Sequence, residues 1–489
     1  MSCAADLVEK ALDDLIARGA VIQEQLAGVD ACYLRRLWEA EAGAAARIRL
    51  LLSADADQGR QVDKVISEIE TAQGITYAQQ QRQAVALAAH TGVLILTGGP
   101  GTGKTTTVRG IVALFQRMGL DVVLAAPTGR AAKRMSELCG GLEAQTIHRL
   151  LGVTWNENTR EASFIKCEKE PLEADAVVVD EMSMVDVSLF AALLRALRPG
   201  TRLVLVGDAD QLPSVGAGNV FSDLIRSQRV ETVFLREVFR QAEQSAIIRN
   251  AHAVNLGQPP RFVNDQNDFF FLCRRSADRV VSVIVDLCQN GLPKKMGVPV
   301  DQIQVLSPTR KGETGTENLN RCLQAALNPP LPNKHQRQFG EKVFREGDRI
   351  MQTRNDYDVV WEKPDGTVGT GLFNGDIGRV VQIDPSGEWL TVNFDDRIAT
   401  YTADQLTEID LAYAMTVHKS QGSEYRAVIL AAMPSAPALM VRGVLYTALT
   451  RARELLIVVG DNSAVASMAE NDRRQRRYSG LKWRLCNGE

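Results

Sequence analysis

Short apolar runs alternate with amphipathic segments through much of the chain. Four such runs are Val93–Leu96, Val122–Ala125, Ala176–Val179 and Leu203–Val206. Uninterrupted apolar runs of this length are typical of strands that are buried on both faces of a parallel sheet. The stretch "TTTVRGIVALFQRMG", which follows the first run, carries apolar residues at helical spacing. The alternation predicts an α/β domain with right-handed crossovers over residues 74 to about 228.

The first 73 residues have a different pattern. The stretches "DLVEKALDDLIARG" and "YLRRLWEAEAGAAARIRLLL" place apolar residues at helical spacing. The polar stretch "SADADQGRQ" separates them from another short helical segment. We therefore predict a helical accessory region over residues 1–73.

Two later segments carry a strand pattern. Residues 153–173 are polar and lose helical periodicity, which predicts a two-stranded excursion. A second series of strands and helices starts near residue 229, and short alternating strands with Asn-Gly and Pro-Ser-Gly turns interrupt it near 343–410. Five short strands predict a small SH3-like barrel there, and a β-insertion without a ligand is the alternative.

Composition narrows the class of protein. A chain of 489 residues predicts two to four domains. Its eight cysteines are scattered without a CxxC pair, which argues against a disulfide framework or a zinc site. No apolar run approaches the length of a membrane span, and the N-terminus lacks signal-peptide features, so we expect a cytoplasmic protein. The net charge of −3 requires any nucleic acid to be held by a local basic lining.

The segment "TGGPGTGKT" lies between the first apolar run and its helix and fits the pattern GxxxxGK[ST]. Its glycines allow consecutive N–H groups to face phosphates, Lys104 supplies a positive charge, and the Thr105 hydroxyl is a ligand for Mg²⁺. A glycine-rich turn that binds nothing is the weaker reading, because strand, loop and helix occur in the order that the phosphate loop requires. We predict ATP and Mg²⁺ as ligands of these residues: Gly99, Pro100, Gly101, Thr102, Gly103, Lys104, Thr105 and Thr106.

Carboxylates follow the next buried strands. Asp180 and Glu181 come directly after Ala176–Val179, at the strand end where open α/β sheets bind ligands. We predict that Asp180 helps to hold Mg²⁺ and that Glu181 orients and deprotonates the attacking water. A solvated acidic strand end is the alternative. Gln211, after Leu203–Val206, is a candidate for a hydrogen bond to the γ-phosphate or a residue of a polar loop.

Eight segments together resemble the motifs of superfamily 1 helicases, most closely those of RecD-like 5′→3′ DNA helicases. They are "TGGPGTGKTTT", "APTGRAAKRM", "QTIHRLLG", "VVVDEMSMVD", "VGDADQLPSVGAG", "VFRQAEQSAIIRNAH", "YAMTVHKSQGSEYRAVIL" and "LYTALTRARELLIVVG". The resemblance covers about residues 75 to 460. The longer, stand-alone members of this family carry a further N-terminal region, which we expect this chain to lack.

The resemblance implies roles for residues outside the phosphate loop. Gln81 corresponds to the glutamine that reads adenine, although the neighbouring glutamines leave the register open by a residue or two. Arg240 and Arg451 correspond to two arginines placed against the γ-phosphate by the second domain, where a planar guanidinium stabilises transferring charge. Gly422 lies in a loop that links the phosphate contacts to the DNA track.

The resemblance also implies a track for single-stranded DNA. The turn before a predicted helix start can present backbone N–H groups to a phosphate. The predicted DNA-binding residues are Pro127, Thr128, Gly129, Arg130, Thr146, His148, Thr416, His418 and Lys419. The two histidines could instead be packed in the core. Three tyrosines are candidates for base stacking, with core packing as an equal alternative: Tyr413, Tyr425 and Tyr446.

The implied protein is an α/β motor of two RecA-like P-loop domains, at residues 74–228 and 229–489. The hairpin at 153–173 would act as a strand-separation pin, and the SH3-like insertion at 343–410 would contact DNA. The implied activity is ATP-dependent 5′→3′ unwinding of DNA, in repair or recombination, by a monomeric motor on single strands and duplex junctions. A translocase or RNA-directed remodeller without DNA unwinding is the alternative. The basic stretch 471–485 is interpreted as a solvated helix face.

Overall fold

The computed structural model describes residues 5–53, 62–156, 161–239, 244–264, 267–473 and 477–488. The N-terminal region contains helices and one hairpin: α1 (Ala5–Ala17), β1 (Val21–Leu26), β2 (Val29–Leu34), α2 (Arg35–Leu52) and α3 (Val62–Gln73). The hairpin was not predicted, because helical spacing dominates the flanking sequence. Its turn is Ala27-Gly28, both with positive φ (51° and 77°), which matches the twist of a two-residue hairpin turn.

The first α/β domain has a six-stranded parallel sheet in the order β10-β3-β9-β8-β4-β5. Its elements are α4 (Gln79–His90), β3 (Val93–Gly98), α5 (Lys104–Arg117), β4 (Val122–Ala126), α6 (Gly129–Leu138), β5 (Ala144–Thr146), α7 (Ile147–Leu150), the hairpin β6 (Val153–Asn156) and β7 (Glu161–Phe164), β8 (Ala176–Val179), α8 (Val187–Ala196), β9 (Arg202–Gly207), α9 (Val220–Ser227) and β10 (Glu231–Leu235). The four predicted strands and the two-stranded excursion are confirmed.

One boundary differs from the prediction. Strand β10 pairs in parallel with β3, so the first sheet extends to Leu235 rather than ending at residue 228. The apolar strand pattern of this segment does not say which of two neighbouring sheets the strand joins.

Both faces of the first sheet are covered by helices. Ile95 packs in a buried cluster with Phe190 of α8, whereas its neighbour Leu94 packs in another cluster with Phe115 of α5. Successive residues of a strand point to opposite faces, which explains why the central strands are apolar throughout.

The second α/β domain has a five-stranded parallel sheet in the order β11-β24-β23-β12-β22. Its helices and the strands before the insertion are α10 (Ala246–Asn255), β11 (Phe269–Cys273), α11 (Ala277–Asp286), β12 (Ile303–Ser307) and α12 (Thr316–Leu327). A π-helix at Leu287–Lys295 extends α11. After the insertion come β22 (Ala414–Thr416), β23 (Tyr425–Ala432), α13 (Arg442–Leu449), β24 (Ala452–Gly460) and α14 (Asn462–Glu470).

The insertion is antiparallel. A small hairpin precedes it, formed by strands at Gln336–Phe339 and Lys342–Arg345. The β-domain, as residues 349–411 are called below, has seven strands where five were predicted. They are Arg349–Gln352, Asp356–Glu362, Val368–Leu372, Ile377–Ile383, Trp389–Phe394, Arg397–Thr402 and Ile409–Leu411. Phe394 and Tyr401 are fully buried between them.

Residues 477–485, the later described part of the basic stretch, are not a solvated face, whereas 474–476 lie outside the described residues. Helix α15 (Leu481–Asn487) packs on α2 and α9. Arg484, 4% exposed in its side chain, pairs with Glu41 at 3.2 Å and with Glu24. Arg477 donates to the carbonyl of Gly218 at 2.9 Å. These two arginines therefore hold the end of the chain against the N-terminal region and the first α/β domain. Within the described residues, no helix is long and apolar enough to cross a bilayer.

Candidate active site between two α/β domains

The phosphate loop lies between β3 and α5, as predicted. Gly101 and Gly103 adopt φ of 75° and 78°, a region that favours glycine. A Cβ on Gly103 would come within 2.6 Å of the Phe239 ring. Lys104 Nζ donates to the Gly99 carbonyl at 3.1 Å, and the Thr102 hydroxyl donates to the same carbonyl at 2.8 Å. The loop is thus ordered by its own contacts, with the lysine charge at its centre.

A cavity of about 510 Å³ opens over this loop, a size typical of small-molecule sites. Both α/β domains contribute to its walls. The residues predicted for the site that line it are Gly99, Pro100, Gly101, Gly103, Lys104, Thr105, Thr106, Asp180, Glu181, Gln211 and Arg451. Thr102 is buried beneath the loop. Arg240 lies outside the described residues.

The carboxylates stand at the end of β8. Burial raises the pKa of Asp180, and the charges of Lys104 and Arg134 oppose that rise. Burial also raises the pKa of Glu181, and the charge of Arg451 is the largest opposing influence. The Glu181 amide donates to Asp180 Oδ1 at 2.8 Å. The site therefore concentrates negative and positive groups out of water, where each interaction is strengthened.

Oxygen donors suited to Mg²⁺ line this cavity. The Thr105 hydroxyl and the Asp180 carboxylate are hard ligands, and a magnesium ion usually takes only one or two such groups from the protein, with phosphates and water completing its shell. No larger group of His, Cys, Asp and Glu side chains that could hold a metal occurs in the described part of the chain. The residues therefore fit Mg²⁺ brought in with a nucleotide.

Gln81 has a different surrounding from the one predicted. It is 2% exposed, accepts from the Ala78 amide at 3.0 Å and donates to the Gly103 carbonyl at 3.2 Å. Both ends of its amide thus tie the start of α4 to the phosphate loop. Recognition of adenine by Gln81 stays a prediction.

Arg451 reaches the cavity from the second domain. Its side chain is held by the carbonyls of Thr447 and Ser423, each at 3.2 Å, and the residue is 2% exposed. Three nitrogens bonded to the protein fix the plane of the guanidinium. The arginine is thus preorganised rather than free to search for a partner.

Gly422 does not line the cavity. Its φ is 68°, and a Cβ there would lie 2.9 Å from the Thr128 hydroxyl. The loop of Gly422 thus meets the predicted DNA-binding turn, and the role of Gly422 as a nucleotide-binding residue stays a prediction. The preceding Gln421 donates to the Leu212 carbonyl at 2.7 Å and ties the loop to the first domain.

Buried hydrogen bonds join the two domains beside the cavity. The Tyr446 hydroxyl donates to Asp208 Oδ2 at 2.8 Å, and Gln211 donates to the same oxygen at 3.3 Å. Gln211 Oε1 is buried and has no hydrogen-bond partner among the described residues. Thr447 accepts from the Leu212 amide at 3.1 Å. Sequence reasoning missed these links, because a motif shows which residues recur but not which residues face them across a cleft.

The predicted DNA-binding residues of the first domain cluster near α6 and α7. Thr128 and Thr146 cap these helices by accepting from backbone amides at 3.3 and 3.2 Å. Arg130 donates to the Tyr425 hydroxyl at 3.3 Å and lies over its ring. Burial lowers the pKa of His148 and the charge of Asp186 opposes that change, while the ring contacts Phe164 and Tyr357. Pro127 and Gly129 are half-buried at the start of α6.

The predicted DNA-binding residues of the second domain lie at the end of β22 and directly after it. Thr416 accepts from the Lys419 amide at 3.3 Å, and Lys419 is exposed. Burial lowers the pKa of His418, which favours the neutral ring. The three tyrosines proposed for stacking are core residues, with exposures of 8%, 7% and 1% for Tyr413, Tyr425 and Tyr446. Their role as base platforms is thus contradicted.

Three family models match parts of the chain. One described as "AAA domain" matches residues 76–270. One described as "ATP-dependent RecD-like DNA helicase SH3 domain" matches residues 319–394. One described as "UvrD-like helicase C-terminal domain" matches residues 411–459. The first match covers the first α/β domain and continues into β11, the second runs from α12 into the β-domain, and the third covers the end of the second α/β domain.

Curated proteins and solved structures are also similar. Over 444 residues the chain is 35% identical to the ATP-dependent RecD2 DNA helicase of Deinococcus radiodurans, covering 91% of this chain and 57% of that protein. It is 32% identical over 455 residues to RecBCD enzyme subunit RecD of Mycobacterium tuberculosis, covering 83% and 73%. A crystal structure of Pif1 helicase from Bacteroides with ADP-AlF3 and ssDNA matches with a TM-score of 0.48 at 20% identity, over 82% of this chain and 95% of that one. The chain thus spans little more than half the length of the first relative.

Proposed function

Because the chain belongs to the RecD-like helicase family, we propose that it is an ATP-dependent DNA helicase that moves 5′→3′ along single-stranded DNA and unwinds the duplex ahead of it. One observation supports this most directly: Lys104, Asp180 and Glu181 of the first domain and Arg451 of the second line the same cavity. Because residues of both domains line the site, binding and hydrolysis of ATP there would depend on how close the two domains are.

The residues of the site have separate roles in ATP hydrolysis. Bound ATP with Mg²⁺ supplies the γ-phosphoryl group and the divalent charge that neutralises it, with Thr105 and Asp180 as the protein's contribution to the metal shell. Lys104 holds the phosphates. Glu181 orients a water molecule and accepts its proton. Arg451 stabilises charge on the transferring group, a contribution of roughly 10³–10⁵ in rate for arginines in this role.

Motion would be transmitted through the buried interdomain bonds. Gln211 contacts Asp208, and Asp208 accepts from Tyr446, so a change at the γ-phosphate can reach the second domain through one shared carboxylate. Gln421 and Thr447 form two further bonds to the backbone of Leu212. Alternating domain closure would then move the predicted DNA contacts on the two domains relative to each other.

The partners that fit this proposal are single-stranded DNA and duplex junctions. The hairpin β6–β7 would act as the pin that keeps strands parted. The family supports a role in DNA repair or recombination, a monomeric motor and a cytoplasmic location. Each base-pair step requires roughly 1–2 kcal/mol of stacking to be offset.

The decisive experiment is strand displacement on four matched substrates: 5′-tailed DNA, 3′-tailed DNA, blunt DNA and 5′-tailed RNA. We expect ATP-dependent displacement of the 5′-tailed DNA alone, with ATPase activity stimulated by single-stranded DNA. Preferential opening of the 3′-tailed duplex would reverse the polarity. Stimulated ATPase without displacement of any substrate would favour a translocase, and preference for RNA would favour a remodeller.

A further inference from the structure

The β-domain touches the first α/β domain directly. Lys133 of α6 and Asp395 of the β-domain form an ion pair, with Nζ and Oδ2 2.7 Å apart. Asp395 lies in the tight turn that follows the strand Trp389–Phe394, and its φ of 59° is in the left-handed region. This contact joins segments that are 262 residues apart in sequence.

A second carboxylate of the β-domain meets the start of α6. Asp376 Oδ1 lies 3.2 Å from the position that a Cβ on Gly129 would take. The other oxygen of this carboxylate accepts from the Phe373 amide at 3.0 Å and pairs with Arg397 at 3.4 Å. Asp376 is 6% exposed, so its position is fixed by the β-domain and the neighbouring helix.

Aromatic rings also form part of the contact between the β-domain and the first α/β domain. Tyr357 of the β-domain lies against His148, with ring centroids 6.4 Å apart, and Phe373 lies against Tyr357 at 5.7 Å. Phe164, at the base of the hairpin, also lies against His148, with ring centroids 6.1 Å apart. All four side chains are half-buried, so each retains some accessible ring surface.

We propose that this face of the β-domain, formed by Tyr357, Phe373, Asp376 and Asp395, occupies the path of single-stranded DNA on the first α/β domain. Its carboxylates stand where phosphates would stand, and its rings stand where bases would stack. DNA and the docked β-domain therefore compete, and DNA binding requires the β-domain to move away from α6. The inference rests on the proposed function, because it takes DNA as the competing ligand.

Lys133 and Phe164 would then contact DNA in addition to the residues predicted from sequence. Lys133 exchanges Asp395 for a phosphate when the β-domain leaves. Phe164 offers its ring beside His148 to a base next to the hairpin. Sequence reasoning did not single out Phe164, because one aromatic residue in a short strand gives no signal of what faces it.

A zero-length crosslink tests the competition. A carbodiimide couples a lysine amine to a carboxylate only when the two are in contact, as Lys133 and Asp395 are. In the full chain without nucleotide, we expect a Lys133–Asp395 amide, detected by peptide mass spectrometry. We expect saturating oligo-dT to reduce its yield at least tenfold, while the Lys166–Glu170 crosslink, 2.8 Å apart within one segment, stays unchanged as an internal control.

Variants give an independent measurement. Asp395→Asn removes the ion pair and should tighten binding of oligo-dT by about two- to fivefold, the range expected for an exposed pair. Glu388→Gln makes the same charge change at the opposite end of the strand Trp389–Phe394 and should leave affinity unchanged.

The outcomes separate this inference from the proposed function. A crosslink that persists with bound DNA, or that never forms in the free protein, overturns the competition even if DNA stimulates ATPase. Equal affinity changes in the two variants overturn it as well. Failure of the chain to bind DNA or hydrolyse ATP overturns the proposed function instead.

Discussion

Glu181 is held in a backbone conformation that few residues other than glycine adopt. Its φ and ψ are 54° and 41°, in the left-handed region, directly after the buried strand β8. Such a conformation costs of order 1–3 kcal/mol and persists only where the surrounding structure enforces it. Here it directs the carboxyl group into the cavity beside Lys104 and Arg451. The strain is consistent with a catalytic position rather than with a solvated strand end.

The Glu181 carboxylate should be required for ATP turnover. Glu181→Gln keeps the shape of the side chain and removes the base, so DNA-stimulated kcat for ATP should fall by about 10²–10⁴-fold. Binding of oligo-dT, measured by fluorescence anisotropy, should remain within about twofold. Glu9→Gln on the exposed helix α1 serves as the matched control. Turnover within tenfold of the parent protein would remove Glu181 from the role of base.

For single residues, sequence motifs were sufficient to predict which side chains meet when those residues lie at the ends of strands in the same sheet. Lys104, Thr105, Asp180 and Glu181 meet in one cavity, as expected from their positions at strand ends. The contact of Gly422 with Thr128 was not predicted, because it depends on how two domains close.

Some secondary-structure elements could not be predicted from the sequence. Buried parallel strands were predicted from their apolar runs, whereas β10 was assigned to the wrong sheet and the β1–β2 hairpin was not predicted. The basic C-terminal stretch looked solvated, yet α15 places Arg484 between Glu24 and Glu41. A run of charged residues shows which charges are present. It does not show which residues, distant in sequence, will pack against them.

The packing of α9 beneath α15 gives a prediction about pH. Burial raises the pKa of Asp223 to about 6; nearby Glu41 acts in the same direction, and a hydrogen bond from Ser479 opposes it. Because the folded-state pKa lies above the unfolded value of about 3.9, this group's stabilisation is complete below pH 4 and is lost as pH rises through 6. Asp223→Asn should therefore increase the free energy of unfolding at pH 8 by up to about 3 kcal/mol.

The measurement is the thermal midpoint of the parent and Asp223→Asn proteins at pH 4 and pH 8. We expect a rise of a few degrees at pH 8 and a difference close to zero at pH 4, where Asp223 is protonated in the folded protein. Glu231→Gln, an exposed substitution on β10, should shift neither midpoint. An equal shift at both values of pH would show that the effect is not titration of Asp223.

The hairpin β6–β7 supports a prediction of its own. Its base is closed by the Ile165 amide, which donates to the Gly152 carbonyl at 3.0 Å, so a short Gly-Ser link can replace residues 153–164 without stretching the chain. Unwinding of 5′-tailed DNA should fall at least tenfold, while DNA-stimulated ATPase stays within about twofold. Unwinding that survives the replacement would exclude the hairpin as the pin.

At the scale of the whole molecule, two sheets share one cavity and few buried bonds connect them. The carboxylate of Asp208 is the common point, since it accepts from Tyr446 across the cleft and from Gln211 beside the cavity. Both Asp208 and Tyr446 are almost fully buried, at 2% and 1% exposed. A buried bond to an ionised group contributes about 1.5–3 kcal/mol, which is enough to bias the balance between open and closed domains.

Tyr446→Phe tests that coupling, because it removes the hydroxyl and leaves the packed ring. We expect the stimulation of ATPase by single-stranded DNA to fall at least tenfold, since loss of the bond weakens the closed arrangement in which Arg451 faces the cavity. The basal rate without DNA should change less. Tyr478→Phe, at a position 85% exposed, is the control for loss of a hydroxyl. Should Tyr446→Phe lower the basal and stimulated rates by the same factor, the bond would act on the chemistry itself, and domain closure would be transmitted through the contacts of Gln421 and Thr447 instead.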